Sequence, residues 1–341
     1  MCITLLLASL TACSKPSERN NFAESAEKYM EYIGNNFVGT DRKKDEVKAE
    51  LKDYIISELI NAGYDESQIE VTGIGNIILS VSGADTSKQI IVGGHYDGEG
   101  VGDNGSGVAL ILATAVGLVN KTTAYNVKYI FFDKEELGLV GSKTYADHMK
   151  SKEIESTLFM VNIDAIAFGD YANIYGGTYD EETGTVTGTE YYDKAMEYAE
   201  GMGFHVYLTE DLDGYFAEHG EGPALDPIGL FTNPWTAENP APRNMMTVSP
   251  TLDAVSDHAY FAEYGIPYIC FEAANWYAEG GLEMFSYTGY YETTDKSLGW
   301  DGMFMNTEYD TLENLEECFP GRALEHFNIF SPLLSKLLME G

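Results

Sequence analysis

Basic side chains are scarce in this chain: 20 Lys and Arg stand against 55 Asp and Glu over 341 residues, a formal charge of −35. Such a surface repels phosphate backbones and anionic bilayers, which excludes nucleic acid as a partner. Cysteine is scarcer still, with four in all. Cys2 and Cys13 sit at the N-terminus, so only Cys270 and Cys318 remain, too few for a disulfide framework. A 270–318 bridge and two buried thiols both stay open. There is no internal repeat and no low-complexity tract, which excludes stacked-repeat architectures. What is present is apolar material, 44% hydrophobic and 13% aromatic, enough for a full globular core.

The apolar opening, MCITLLLASLTAC, has the length of a signal peptide and is too short for a bilayer span. It closes on Leu10-Thr11-Ala12-Cys13, which resembles the lipobox of bacterial lipoproteins, although no Lys or Arg precedes the run. The expectation is a signal over 1–12, a lipidated Cys13 as mature first residue, and a polar tether over 13–21. That places the protein outside the cytoplasm of a bacterium, on a lipid anchor that does not span. An ordinary secretory signal is the competing reading.

Residues 22–341 read as one catalytic domain. Helical spacing covers about 22–62, with Val47, Leu51, Tyr54, Ile55, Leu59 and Ala62 on one stripe and Gly63 as the stop. Strands then alternate with helices through IEVTGIGNIILSVSG, KQIIVGGHYD, VKYIFFDKEE, TLFMVNIDAIA and YANIYGG. The alternation predicts an α/β fold with a mixed or parallel sheet covered on both faces. Regularity weakens beyond YYDKAMEYAEGMGF and HVYLTE. Residues 211–250 read as a long loop or cap, and 275–305 as an aromatic, Gly-rich excursion, on either side of a final strand in IPYICFEAA.

Three of the apolar runs lead into chemistry. Short Val/Ile/Phe-rich runs read as strands buried on both faces, and in open α/β sheets ligands bind beyond the carboxyl ends of such strands. His95 ends one run and Asp97 follows two residues on, on the same side of an extended segment, where it can accept the second imidazole N–H and fix the tautomer. Asp103 sits in GVGDNGSG, a loop with no following Lys to make it a phosphate cradle. Its two oxygens can bridge two cations; a plain Asx-turn is the alternative. Glu135 and Glu136 close the next strand, where hydrolysis can use one carboxylate on a metal and the other to take a proton from water. An exposed helix N-terminus would also favour such a pair. Asp164, inside the apolar VNIDAIA, needs a partner for its charge. One His and several acids at one rim call for a cation, and the residues read as a metal-dependent hydrolase.

In order, GGHYDGEGVGDNGSG, FFDKEELGLVGS, VNID, SDHAYFAEYGIP and NTEYDTLENL resemble the zinc exopeptidase family of secreted bacterial leucyl-type aminopeptidases, to which glutaminyl cyclases are more distantly related. The similarity covers roughly residues 70–320. It implies a single α/β domain with a mixed, mainly eight-stranded sheet, two co-catalytic zinc ions and peptide substrates. On that pattern His95 and Asp164 bind one zinc, Asp103 bridges, and Glu136 binds the other. Glu135 is the implied general base and Asp97 orients His95, while Asp257 and His258 fall near the substrate pocket. One departure stands out. The family's fifth ligand is a His in H-T-x-x-D-T, and this chain has Asn306, preceded by Met305 where aminopeptidases often carry Tyr.

An amide oxygen is a poorer zinc donor than imidazole, so an all-oxygen second site favours a harder cation or weak occupancy. Three accounts compete: one tight zinc with a loose or different second metal; a substitute ligand from His258, His219 or Glu308; or binding without hydrolysis. The expected activity is metal-assisted hydrolysis near a peptide end, most simply aminopeptidase action. The alternatives are a catalytically degenerate peptide- or metal-binding lipoprotein and a glutaminyl-cyclase-like enzyme. The resemblance implies a single zinc held without the first His for the latter, and the intact His95 counts against it.

Overall fold

In the computed structural model of the chain, residues 20–38, 44–180, 185–208, 229–232, 256–274, 293, 295, 297–300 and 302–341 are described. The expected signal, Cys13 and most of the tether lie outside the described residues. So do His219 and the larger part of the two expected insertions.

Strand β3 (Asp85–His95) shows why the sheet forms where it does. Ile90 and Val92 enter one apolar cluster and Ile91 enters another, so successive side chains bury on opposite faces. All three are fully buried, each contributing roughly 1.5–3 kcal/mol relative to exposure. Around β3 the sheet contains β1 (Ile69–Val71), β2 (Ile77–Val81), β4 (Tyr125–Phe132), β5 (Thr157–Ile163), β6 (Tyr171–Gly176), β9 (His205–Leu208), β10 (Gly229–Thr232) and β11 (Tyr268–Ala274). The order is β1-β2-β4-β3-β5-β11-β6-β10-β9, and a hairpin of β7 (Thr178–Asp180) and β8 (Thr185–Thr187) stands apart. Strands β4, β3, β5 and β11 run parallel, with antiparallel neighbours β2 and β6 on either side.

The mixed α/β sheet is as the sequence predicts, but with nine strands among the described residues where eight were expected. The span 211–250 accounts for part of the difference, since β10 pairs in parallel with both β6 and β9 inside it. Gly-Leu-Phe-Thr is too short to show alternation, so only the neighbouring strands reveal it.

Helices α1 (Ala23–Phe37), α2 (Asp45–Ala62), α3 (Gly105–Leu118), α6 (Glu190–Gly201) and α9 (Arg322–Glu340) contribute to the larger cluster. Short helices α4 (Val140–His148), α5 (Ser151–Ser156) and α7 (Ala259–Glu263) cover the opposite face, and α8 (Leu312–Cys318) precedes α9. Helix α3 is apolar nearly all round and is correspondingly buried, as a helix without a polar face must be. Asn104 starts it, its side chain accepting the Gly107 N–H at 3.0 Å. Cys270 is buried and Cys318 half-buried, and both are free thiols. Among the described residues no helix is long and apolar enough to cross a membrane.

Candidate metal centre

Parallel pairing brings the chemistry to one rim. Ile91 lies opposite Met160 and both enter the smaller cluster; two steps of alternation on each strand carry that face to His95 and Asp164. His95 pairs with Phe132, so the turn after β4 emerges beside it. His95 is 1% exposed, and carboxylate oxygens gather around its Nε2: Asp103 Oδ1 at 3.0 Å, Asp164 Oδ1 at 3.3 Å and Glu135 Oε2 at 3.9 Å. His95, Glu135 and Asp164 each offer a donor atom within 4.8 Å of the other two.

One imidazole proton cannot serve three carboxylates, and a cation can. Nitrogen plus carboxylate oxygen is a donor set that zinc accepts, so these residues fit the ion that the sequence implies. The charge balance says the same. Burial would depress the His95 pKa, but the charges of Glu135 and Asp164, and hydrogen bonds that the ring donates to Asp103 and Asp164, hold it well above its ordinary value. The Glu135 carboxyl is pushed well up, first by burial and then by Asp257, Asp164 and Asp103, with His95 opposing. Asp164 lies below the usual carboxylate range because His95 and the Ser256 hydroxyl outweigh its burial.

Supporting contacts fix these groups. Ser256 Oγ donates to Asp164 Oδ2 at 2.6 Å and accepts from Asn162 Nδ2 at 2.8 Å. Asp97 stands 3.6 Å from His95 Nδ1, beyond hydrogen-bond range, and its Oδ1 instead accepts the backbone N–H of Glu135 at 3.0 Å. The residue expected to orient the imidazole thus also ties the His95 strand end to the Glu135 turn. Asp310 is buried, and its carboxylate accepts the N–H groups of Gly102 at 2.6 Å and Asp103 at 3.0 Å, fixing the loop that presents Asp103.

The other expected residues fall as follows. Glu136 reaches back over the loop after Asp97, where a Cβ at Gly98 would stand 2.7 Å from its Oε1. It lies outside the trio of donors, which Glu135 joins instead. Asp257 is fully buried, and neither carboxylate oxygen makes a hydrogen bond among the described residues. Burial chiefly raises its pKa to about 7, with His95 and the nearby Ser142 hydroxyl opposing and Asp164 and Asp97 adding. His258 is also fully buried, tilted against the Tyr268 ring at 4.6 Å and edge-on to Tyr175 at 6.1 Å. That packing sets it in the aromatic layer, from which its charge still helps to lower the Asp164 pKa. Asn306 is exposed, at φ 58°, and Glu308 is exposed beside it. Residue-by-residue reading passed over Ser256, Asn162, Lys48, Asn76 and Asp133. Only Ser256 carried a signal, its place before Asp257 in the SDH segment.

A mixed sheet with an acid-and-histidine cluster at the carboxyl rim of its parallel strands defines the class: a zinc-exopeptidase type of fold. Residues 76–216 match the model described as Peptidase family M28. The probable leucine aminopeptidase 2 of Aspergillus oryzae is 34% identical over 107 residues, which is 30% of this chain and 22% of that protein. Leucine aminopeptidase 2 of Trichophyton rubrum matches at 34% over 107 residues, with the same 30% and 22% coverage. The matched stretch thus spans about a fifth of these curated relatives.

Among solved structures, an Acidobacteriales bacterium glutaminyl cyclase is similar with TM-score 0.54 and 14% identity, over 98% of this chain and all (100%) of that one. The LapA aminopeptidase of Legionella pneumophila gives 0.52 at 15%, over 95% and 74%. A Zn-dependent exopeptidase from Parabacteroides distasonis gives 0.51 at 16%, over 94% and 98%. At such identities the likeness is one of fold.

Proposed function

We propose that this protein is a zinc-dependent exopeptidase that removes residues from peptide N-termini. The observation that carries the reading is the His95 Nε2 atom with Asp103, Asp164 and Glu135 oxygens 3.0–3.9 Å away at the carboxyl rim of parallel strands. The match to the M28 family model and the leucine aminopeptidase 2 relatives favour peptide hydrolysis over binding alone. His95, Asp164 and Asp103 would hold a divalent ion, with Glu136 reaching the same loop. Such an ion supplies Lewis acidity toward a carbonyl and makes water easier to deprotonate.

The remaining steps belong to the chain. Glu135, buried with a raised pKa, takes the proton of the attacking water as the scissile carbonyl is engaged, then delivers it to the leaving amine. Asp97 keeps the Glu135 turn against the imidazole strand. Asp257, buried and without a hydrogen-bond partner for either oxygen among the described residues, is suited to hold a proton near neutral pH. A lipid anchor through Cys13, on the extracytoplasmic side, completes the proposal and rests on the Leu10-Thr11-Ala12-Cys13 motif alone.

Metal analysis of the purified protein, with hydrolysis of aminoacyl, carboxyl-terminal and glutaminyl peptides before and after chelation, tests this reading. Zinc-restored release of N-terminal residues supports it. Cyclisation of an N-terminal glutamine without hydrolysis would favour the cyclase, and metal binding without turnover a degenerate binder. Asn306→His should raise the zinc bound per chain if that position is the weakened fifth ligand. Unchanged stoichiometry would point to a donor elsewhere.

A further inference from the structure

Helix α2 lies outside the residues that match the family model, yet it sends a lysine into the interior next to the site. Lys48 is 5% exposed, and its Nζ sits 2.8 Å from Asp133 Oδ1, itself 4% exposed. Few lysines are buried to this degree without a specific partner, because desolvating the ammonium is costly. Asp133 is two residues before Glu135. Its backbone N–H donates to Asn76 Oδ1 at 2.9 Å, while Asn76 Nδ2 donates to the Gly141 carbonyl at 2.9 Å. One asparagine thereby closes the start of the turn onto its end.

The turn between is unusual. Lys134 and Leu139 both adopt left-handed backbone, at φ 63° and 58°, where side chains are disfavoured. It is held by the Glu135 N–H on Asp97 and by Val140 N–H on the Lys134 carbonyl at 3.0 Å. On the other side, Gly75 stands at φ 117°, and a Cβ there would come within 2.1 Å of Asp133 Oδ2. The Asp133 carboxylate is therefore confined between the Lys48 ammonium and the Gly75 backbone.

We propose that the buried Lys48–Asp133 pair is a positioning device that sets the turn presenting Glu135 and Glu136 to the metal centre. Lys48 touches no substrate; it acts through Asp133 on the direction in which the two glutamates leave β4. This inference rests on the metallopeptidase reading for its kinetic consequence but not for its geometric one. A residue misplaced by about 1 Å can lower turnover by about 100-fold, and the pair stands at the root of the turn.

Full-length variants carry the test, read by cobalt(II) absorption and by peptide hydrolysis. The Lys48→Met/Asp133→Asn protein leaves no unpaired buried charge. It is expected to keep wild-type circular dichroism while kcat drops between about 10- and 100-fold at unchanged KM and the cobalt spectrum shifts. Gly75→Ala, which displaces Asp133 with both charges intact, is expected to shift kcat and the cobalt spectrum in the same way, and it decides the matter if the double variant does not fold. Lys48→Arg, which keeps the charge, should recover most of the kcat. Wild-type kcat and cobalt spectrum in the neutral pair, or in Gly75→Ala, would overturn the proposal and leave the pair as a stability element only. If the wild type cleaves no peptide, the proposed function fails, and the cobalt spectra alone uphold or refute the role of Lys48.

Discussion

Glu135→Gln is expected to lower peptide hydrolysis by about 10³-fold, within the range that removal of a general base produces, while zinc content and fold stay as in the wild type. Glutamine keeps the size of the side chain and the backbone N–H to Asp97, and it removes a carboxylate whose burial is unfavourable when charged. The variant should therefore melt no earlier than the parent. Zinc analysis decides the point on which geometry and resemblance differ. Glu135 sits within 4.8 Å of the His95 and Asp164 donors, as a ligand would, whereas the resemblance gives ligation to Glu136. Zinc retained with turnover lost identifies Glu135 as the base. Zinc and turnover lost together identify it as a ligand, and retained turnover removes it from the mechanism.

The second large effect is a reversal of pH dependence by metal. In the metal-free protein Asp257 has its pKa raised to about 7 against an ordinary carboxylate value near 4. The folded state holds more protons than the unfolded chain across that window, so stability is fully present below about pH 4 and falls as pH rises towards 7. His95, also raised, acts with the same sign above its ordinary range. Asp97 and Asp164 are lowered, and their contribution is lost only as pH falls below the usual carboxylate range. The loss from Asp257 is at most about 4 kcal/mol, because a tenfold change in proton affinity is worth about 1.36 kcal/mol.

Zinc competes with the proton on His95, so its apparent affinity should rise about tenfold per pH unit for each proton displaced. At 1,000 times its Kd it adds about 4 kcal/mol, on the order of 8 °C in melting temperature for a domain of this size. Melting curves from pH 5 to 8, with chelator and with zinc, should slope in opposite directions, and Asp257→Asn should flatten the metal-free one. A metal-free protein that gains stability towards pH 8 would refute this charge assignment.

Much of the site was legible because its residues end strands. His95, Glu135 and Asp164 each follow an apolar run whose two-sided burial is written in its composition, and parallel pairing turns three separate strand ends into one rim. The Gly-rich surroundings of Asp103 likewise announced a loop. The remainder was not legible because it depends on partners far apart in the chain. Strand β10 is four residues long and exists through its neighbours β6 and β9. Lys48 on a helical stripe reads as one more exposed cation until Asp133, 85 residues away, is seen beside it. His258 was a candidate ligand by residue type, and only the tertiary structure shows its ring packed against Tyr268 and Tyr175.

The amino-acid sequence determined the α/β class and the kinds of side chain at the carboxyl rim, since both follow from short-range pattern: alternation, apolar runs and the residues that end them. Tertiary structure alone decided which glutamate stands nearest His95, that Asp97 bonds to the turn, and that a buried ion pair from α2 braces it. Those outcomes depend on distances of 3–4 Å between groups remote in sequence. Such distances are set by how strand ends and turns pack together, which no local pattern encodes.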